Sequence, residues 1–234
     1  MQPNTIDSPP SSSPGPKPIW LAMALVAILA LGYAGSQLVG KMFDSTLTHG
    51  RLPVLATVDQ DFTGTDRTGQ QVQFSQLKGK VCVVGYIYTI CPHGCAAVIA
   101  EMKSLLKQHG ARSDFHLVSV TVVPERDTPT MLNSYAEAME VKPTDPWWFV
   151  NGDRVQMDAF MSEGLRLAAS KPIPEDQRMN PLDLYEHDLR LTLIDRQGRV
   201  RGHYQVAHPQ AEIAEMARLK LQQQVTSLLN NPNL

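Results

Sequence analysis

Two cysteines separated by three residues, Cys91 and Cys95, have the type and spacing to carry chemistry. They follow an apolar run over residues 81–88, and a helical repeat of apolar residues continues behind them until Gly110. This order predicts a buried strand, a tight turn and a helix whose first turn contains Cys95. The unpaired N–H groups and the positive dipole end of a helix start favour thiolate over thiol. Thiolates bind metals and attack disulfides, so we expect either chemistry here.

A structural disulfide is the alternative for this pair. Cysteines four apart on a regular helix place their Cβ atoms about 5–6 Å apart, beyond the roughly 3.5–4.5 Å that a disulfide needs. Because Cys91 precedes the helix, a modest backbone adjustment would close that gap. The chain has three cysteines, too few for a disulfide scaffold. The third, Cys82, lies inside the apolar strand, where we expect an inert core thiol.

Length and charge fit one globular domain with additional segments. The chain has 234 residues, of which 43% are hydrophobic, and a net charge of −2. Lys and Arg form no run anywhere in the sequence. Nucleic-acid binding has no electrostatic support in such a chain, so we expect no nucleic-acid partner.

The N-terminal part divides into segments of different composition. Residues 1–17 are rich in Ser and Pro, which predicts a disordered tail. Residues 18–40 contain no charged residue and exceed the about 20 residues that span a bilayer, so we predict a transmembrane anchor. A cleavable signal peptide is the alternative, although its apolar core usually runs about 7–15 residues. We predict a linker over residues 41–54 and a folded domain over 55–230.

Strands and helices alternate through that domain. Turn residues and apolar periodicity predict an N-terminal hairpin over residues 61–74, strands over 81–88, 115–123 and 147–150, a hairpin over 189–206, and helices after Cys91, from 129, after 153 and from about 209. This alternation predicts an α/β sheet that is mostly parallel, with antiparallel edge elements.

One histidine is expected beside the cysteines. Functional groups in open α/β sheets collect beyond the carboxyl ends of the parallel strands, where Cys91 is expected. An antiparallel strand starts at that same end, so His187, just ahead of the strand from Leu189, should approach the thiols. Thiolates favour Cu(I), and imidazole binds copper in either oxidation state. Structural zinc normally takes four protein ligands, and no fourth is evident in the sequence.

Four motifs occur in a fixed order over roughly residues 55–225: Gly79-Lys80 before an apolar strand, Thr89-x-Cys91-Pro92-x-x-Cys95, Pro124-Glu125-Arg126-Asp127-Thr128-Pro129, and His187 ahead of Leu193-Ile194-Asp195-x-x-Gly198. Together they resemble the Sco/SenC/PrrC proteins. The resemblance implies a thioredoxin-like fold on an N-terminal membrane anchor. It also implies that copper, as Cu(I) or Cu(II), is bound by Cys91, Cys95 and His187.

The resemblance implies a role and a location as well. The expected role is copper delivery to, or thiol reduction of, the CuA site of cytochrome c oxidase, with its CuA-bearing subunit as partner. Other copper chaperones or thiol reductases are further expected partners. The soluble domain is expected in the periplasm, anchored to a bacterial inner membrane. The mitochondrial inner membrane is the alternative, but residues 1–17 lack the Arg-rich amphipathic pattern of a mitochondrial presequence.

Three positions depart from the pattern of these proteins. Val123 stands where Asp usually precedes the Pro-Glu-Arg-Asp-Thr-Pro motif, Ala96 where Pro usually follows the second cysteine, and Asp188 where Ser commonly follows the histidine. None of these departures removes an expected ligand. They mark a divergent member of the group.

A thiol–disulfide oxidoreductase is the rival interpretation. The sequence Cys91-Pro92-His93-Gly94-Cys95 resembles the Cys-Pro-His-Cys of DsbA-type oxidases with one Gly added, and an imidazole at His93 would lower a thiol pKa. In that case Cys91 and Cys95 would be the redox-active pair. Against it, no proline immediately precedes the strand from Leu189, where thioredoxin-type enzymes carry a cis-proline.

Overall fold

The computed structural model describes four parts of the chain: residues 23–37, 52–91, 95–232 and 234. They belong to two compact units, Met1–Gly50 and Arg51–Leu234. Within the first unit, residues 23–37 form helix α1, whose side chains are exposed.

The predicted membrane anchor is covered only in its middle part. Across the described ranges, no helix combines the length and apolar character needed to cross a bilayer. Residues 18–22 and 38–40 of the predicted anchor lie outside the described residues. The same holds for the predicted tail over 1–17 and for residues 41–51 of the predicted linker.

The second unit is built on an extended mixed sheet. In the described part its strands are β1 Ala56–Thr57, β2 Thr63–Asp66, β3 Gln71–Gln73, β4 Val81–Ile87, β5 Phe115–Thr121, β6 Trp147–Gly152, β7 Lys171–Pro172, β8 Tyr185–Glu186, β9 Leu191–Ile194 and β10 Arg199–Tyr204. Its helices are α2 Cys95–His109, α3 Pro129–Ala138, α4 Arg154–Ala159 and α5 Ala211–Asn230. Strands β7 and β8 pair with each other, and the other eight described strands form one sheet in the order β1-β10-β9-β4-β5-β6-β2-β3.

The expectation of a mostly parallel sheet is wrong. Strand β5 is parallel to both β4 and β6, whereas every other described pairing is antiparallel. Parallel pairs need a long crossover, and the described domain supplies such crossovers through α2 and α3. The N-terminal hairpin β2–β3 pairs antiparallel with β6 on one side of this parallel centre. The hairpin β9–β10 pairs antiparallel with β4 on the other side.

Strand β4 is buried on both faces, as its continuous apolar sequence predicts. Its residues alternate between two cores because successive side chains point to opposite sides of a sheet. Val81, Val83 and Ile87 pack in the cluster that includes α2, α3 and α5. Cys82 and Tyr86 pack in the cluster on the other face, which includes the N-terminal hairpin and α4. The end of β4 is therefore fixed from both sides.

The helix starts follow the capping residues of the sequence. Thr128 accepts a hydrogen bond from the Met131 amide at 3.4 Å, and Pro129 occupies the first position of α3. Asp153 caps α4 by accepting from the Gln156 amide at 3.0 Å. Both predicted helix starts are confirmed.

A buried histidine makes the stability of the domain depend on pH. His116 is 7% exposed, packs edge-on against Trp148 at 4.7 Å between ring centroids, and has both ring nitrogens without a hydrogen-bond partner among the described residues. Burial, with a smaller contribution from Lys80, lowers the pKa of His116 to about 3. In the unfolded chain the imidazole takes up a proton near pH 6.5. The unfolded state therefore binds more protons below that pH, and stability falls as the pH falls.

Between pH 7 and pH 5, we expect the free energy of unfolding to fall by about 2 kcal/mol more in the wild-type chain than in His116→Phe. The phenylalanine keeps the ring against Trp148 and removes the buried basic nitrogens. Urea unfolding of both proteins at the two pH values measures the difference. Equal losses in the two proteins would contradict the assignment to His116.

Candidate metal centre

The two cysteines sit at the junction between β4 and α2. The Cys91 amide donates to the Tyr88 carbonyl at 3.0 Å, which closes a tight turn directly after the strand. Cys95 is the first residue of α2. This confirms the predicted strand, turn and helix, while Pro92, His93 and Gly94 between the cysteines lie outside the described residues.

His187 completes a cluster with both thiols. Its Nε2 lies 3.6 Å from Cys91 Sγ and 3.3 Å from Cys95 Sγ. The three ligand atoms lie within 4.8 Å of one another, and the described residues contain no other such group of three from His, Cys, Asp and Glu. All three residues proposed from the sequence as ligands therefore lie together at one end of the sheet. None of the three cysteines forms a disulfide.

The orientation of His187 is fixed by its neighbour. His187 Nδ1 lies 3.1 Å from the Asp188 carbonyl, so the other ring nitrogen is directed at the thiols. The Asp188 carboxylate accepts from the Ala168 amide at 2.9 Å, the Arg190 amide at 2.9 Å and the Arg190 guanidinium. Burial, the largest single effect, acts to raise the pKa of Asp188. The hydrogen bonds and the charge of Arg190 together outweigh it, so the pKa of Asp188 is lowered. Asp188, one of the three departures from the family pattern, thus anchors the backbone beside His187.

The two thiols differ in environment. Cys95 is buried and Cys91 is partly exposed. A hydrogen bond with the Cys91 thiol, together with burial, raises the pKa of Cys95 well above its ordinary value. In the metal-free pair the neighbouring sulfur and the loss of solvent therefore oppose the thiolate that the helix start was expected to favour at Cys95. Burial likewise raises the pKa of Cys82 to about 12, as expected of an inert core thiol.

An aspartate not expected to contact the site supports the cysteine turn. Asp127 is fully buried and accepts from Thr89 Oγ1 at 2.5 Å and from Thr121 Oγ1 at 2.8 Å. Its backbone carbonyl accepts from Asn151 Nδ2 at 2.8 Å. The motif from Pro124 to Pro129 is the sequence signal for this residue, although an aspartate two positions before Pro129 is more simply explained as a helix cap. Thr128 provides that cap instead, and Asp127 ties the turn to the end of β5.

A segment with little regular structure covers the other side of the centre. We call residues 171–186 the strap; it contains β7 and β8 and ends directly before His187. A cavity of about 400 Å³ lies between the strap and the histidine, and Met179, Glu186, His187 and Leu189 are among its lining residues. No strand is predicted from the sequence of this proline-containing stretch. Its two strands have two residues each, too few to show an alternating pattern.

Tyr88 links the strap to β4. Its hydroxyl donates to the Leu182 carbonyl and accepts from the Leu184 amide at 3.4 Å. The centroid of the Tyr88 ring lies 6.3 Å from that of the His187 ring, edge to face. The Tyr86 ring lies 5.9 Å from the same His187 ring. Burial raises the pKa of Tyr88, which keeps the hydroxyl protonated as a donor.

Several known proteins are similar to this chain in sequence and in the arrangement of their strands and helices. The family model SCO1/SenC matches residues 52–222. A SCO1 protein homolog of Bacillus subtilis is 29% identical over 147 residues, which cover 62% of this chain and 72% of that protein.

Two solved structures are also similar. Bradyrhizobium japonicum ScoI, solved with copper bound, is 25% identical with a TM-score of 0.53 over 68% of this chain and 97% of its own. BsSco, described as having a disulfide switch and as a member of the Sco family of cytochrome c oxidase assembly proteins, is 25% identical with a TM-score of 0.54 over 71% of this chain and 95% of its own. The chain therefore belongs to the SCO1/SenC family and has its thioredoxin-like α/β fold.

Proposed function

We propose that this chain is a copper-binding metallochaperone that takes part in assembly of the CuA centre of cytochrome c oxidase. The observation that carries the proposal is the cluster of Cys91, Cys95 and His187, with ligand atoms within 4.8 Å of one another. Two sulfur ligands and one imidazole are a soft set that suits copper. The copper-bound ScoI structure and the Sco family name of BsSco support the cargo and the assembly role.

The geometry also suits transfer of the metal. Three protein ligands leave a position where a ligand of the recipient can attach before the donor ligands leave. Cys91 and His187 are partly exposed, so an incoming ligand reaches the metal from their side, while Cys95 is buried beneath them. The CuA-bearing subunit of the oxidase is the proposed recipient.

The proposal includes a membrane location. Residues 18–40 would anchor the chain, residues 41–54 would act as a linker, and residues 55–230 would form the copper-binding domain in the bacterial periplasm. The uncharged stretch over 18–40 and the family resemblance support this arrangement. A single-pass topology places the thiols where an exported oxidase subunit is accessible.

The second candidate is a thiol–disulfide oxidoreductase acting on the apo-oxidase subunit or on other exported proteins. The sulfur atoms of Cys91 and Cys95 lie within 4.8 Å of each other and are not joined in a disulfide, and BsSco is described as having a disulfide switch. In this role the pair would become oxidised to a disulfide as a substrate disulfide is reduced to two thiols. His187 would not be needed as a ligand for that exchange.

Copper titration of wild type and His187→Ala separates the two candidates. We expect the reduced full chain, purified in detergent, to bind one equivalent of Cu(I), and the variant to bind at least about tenfold more weakly. Losing even an outer-shell partner of a metal ligand costs about 10–100-fold in affinity, so losing the ligand itself should cost no less. Competition with a Cu(I) chelator measures the affinity.

The matched control is His208→Ala, which removes an imidazole that accepts from the Gln210 amide at 3.0 Å. It should bind copper as the wild type does. If His187→Ala also keeps the wild-type affinity, or if the reduced wild type binds no copper while it still exchanges disulfides, the metallochaperone proposal fails and the oxidoreductase takes its place.

A further inference from the structure

The strap is held together largely by bonds of its own. The Ile173 amide donates to the Leu184 carbonyl at 2.9 Å, and the Met179 amide donates to the Asp183 carboxylate at 3.1 Å. Strands β7 and β8 pair within it. The strap thus has internal order, and its attachment to the rest of the domain depends on specific contacts, such as the Tyr88 hydroxyl and the Arg154 guanidinium over the Tyr185 ring at 4.4 Å.

His187 lies at the border between this strap and a rigid segment. On its C-terminal side the Asp188 carboxylate is fixed by the Ala168 amide and by Arg190. On its N-terminal side the chain runs through the strap to Leu184 and Leu182, which bond to the Tyr88 hydroxyl. The distance from imidazole to thiols therefore depends on how the strap is held.

Tyr88 contacts both segments that carry the proposed ligands. Its backbone carbonyl accepts from the Cys91 amide at 3.0 Å and closes the cysteine turn. Its hydroxyl reaches across to the strap, and its ring lies against the imidazole of His187. One residue thus connects the thiol segment and the imidazole segment.

We propose that the Tyr88 hydroxyl is a positioning group that keeps His187 within reach of the thiols by holding the strap closed. The proposal rests on the proposed function for its copper consequence, but not for its structural part. With the hydroxyl bond in place, the imidazole stays at its 3.3 Å and 3.6 Å distances from the sulfurs. When the bond breaks, the strap opens and His187 leaves first, which exposes the two-sulfur site to a recipient.

Tyr86 provides a matched comparison. It lies in β4, two residues before Tyr88, and packs in the same core cluster. It is 2% exposed, and its ring is 5.9 Å from the His187 ring. Its hydroxyl faces the backbone of Ser170, which precedes the strap, and makes no hydrogen bond of normal geometry with a described residue. Tyr86→Phe and Tyr88→Phe therefore remove the same atom from similar buried positions, but only the second removes a bond to the strap.

The first test uses the metal-free full chain in detergent. We expect Tyr88→Phe to speed amide hydrogen exchange over residues 179–186 by about threefold to tenfold, the effect of losing one net hydrogen bond. Tyr86→Phe should exchange at the wild-type rate there. Unchanged exchange in Tyr88→Phe, or equal acceleration in both variants, would overturn the proposal because the hydroxyl would then not hold the strap.

The second test measures release of bound Cu(I) to a chelator. We expect release to be about threefold to tenfold faster from Tyr88→Phe and unchanged for Tyr86→Phe. In a His187→Ala background, Tyr88→Phe should add no further acceleration, since the hydroxyl acts through the histidine. Full acceleration in that background would overturn the positioning role. If the wild type binds no copper, the proposed function fails, and the exchange measurement still decides whether Tyr88 holds the strap.

Discussion

We expect the full chain carrying Cys91→Ser and Cys95→Ser together to bind no stoichiometric copper. Serine hydroxyls are hard donors that keep their protons at neutral pH, whereas Cu(I) requires soft thiolates. His187 alone would remain, and one imidazole does not form a chelate. The apparent affinity for Cu(I) should fall by more than about a thousandfold. Metal analysis after gel filtration of the reduced, copper-loaded protein measures the loss.

Cys82→Ala is the control for this double substitution. Cys82 is 1% exposed, lies in β4, and is not part of the cluster with His187. Removing its sulfur should leave one equivalent of copper bound. Tight copper retained by the double variant, or lost from Cys82→Ala in a folded protein, would contradict the assignment of the centre to Cys91 and Cys95.

Asp127→Ala is expected to lower the free energy of unfolding by about 3 kcal/mol. The carboxylate is fully buried, and its removal leaves the hydroxyls of Thr89 and Thr121 without their acceptor. Hydrogen bonds to a charged group contribute about 1.5–3 kcal/mol each. Copper affinity should also fall, because Thr89 lies two residues before Cys91 and its anchoring fixes the turn. Urea unfolding and Cu(I) competition measure the two effects.

Asp153→Ala is the matched control for Asp127. Each aspartate lies near the start of a helix, but Asp153 is exposed and caps α4 through the Gln156 amide. Its loss should cost about 1 kcal/mol and leave copper affinity unchanged. Similar losses of stability and affinity in the two variants would show that Asp127 has no special connection to the cysteine turn.

Local patterns were enough to predict the elements that carry the thiols. The apolar run ending at residue 88 corresponds to β4, and the apolar repeat up to Gly110 corresponds to α2. The helix predicted from residue 129 corresponds to α3. The position of His187 followed from strand direction, because β9 runs antiparallel to β4 and begins where β4 ends. These predictions depend on periodicity and on sheet geometry, both of which are present in the sequence.

The supports of the site depend on contacts that no local pattern contains. Tyr88 bonds to Leu182 across 94 positions, and Asp127 bonds to Thr89 across 38. Neither pair has a periodic signal, since each depends on how separate loops meet above the sheet. The share of parallel pairing was overestimated for a related reason: the hairpins and the central strands were each predicted, but the antiparallel pairing of β2 with β6 and of β9 with β4 was not.

The uneven spacing of the three ligands along the chain determines how bound copper couples to folding. Cys91 and Cys95 are neighbours in any conformation, whereas His187 is 96 and 92 positions away and reaches them only in the folded domain. An unfolded chain therefore keeps a two-sulfur chelate and gives up the imidazole. A ligand stabilises the native state only by the difference between its affinities for the folded and unfolded chains. The metal would thus stabilise this fold by the contribution of the third ligand and of the preformed site, and not by its full binding energy.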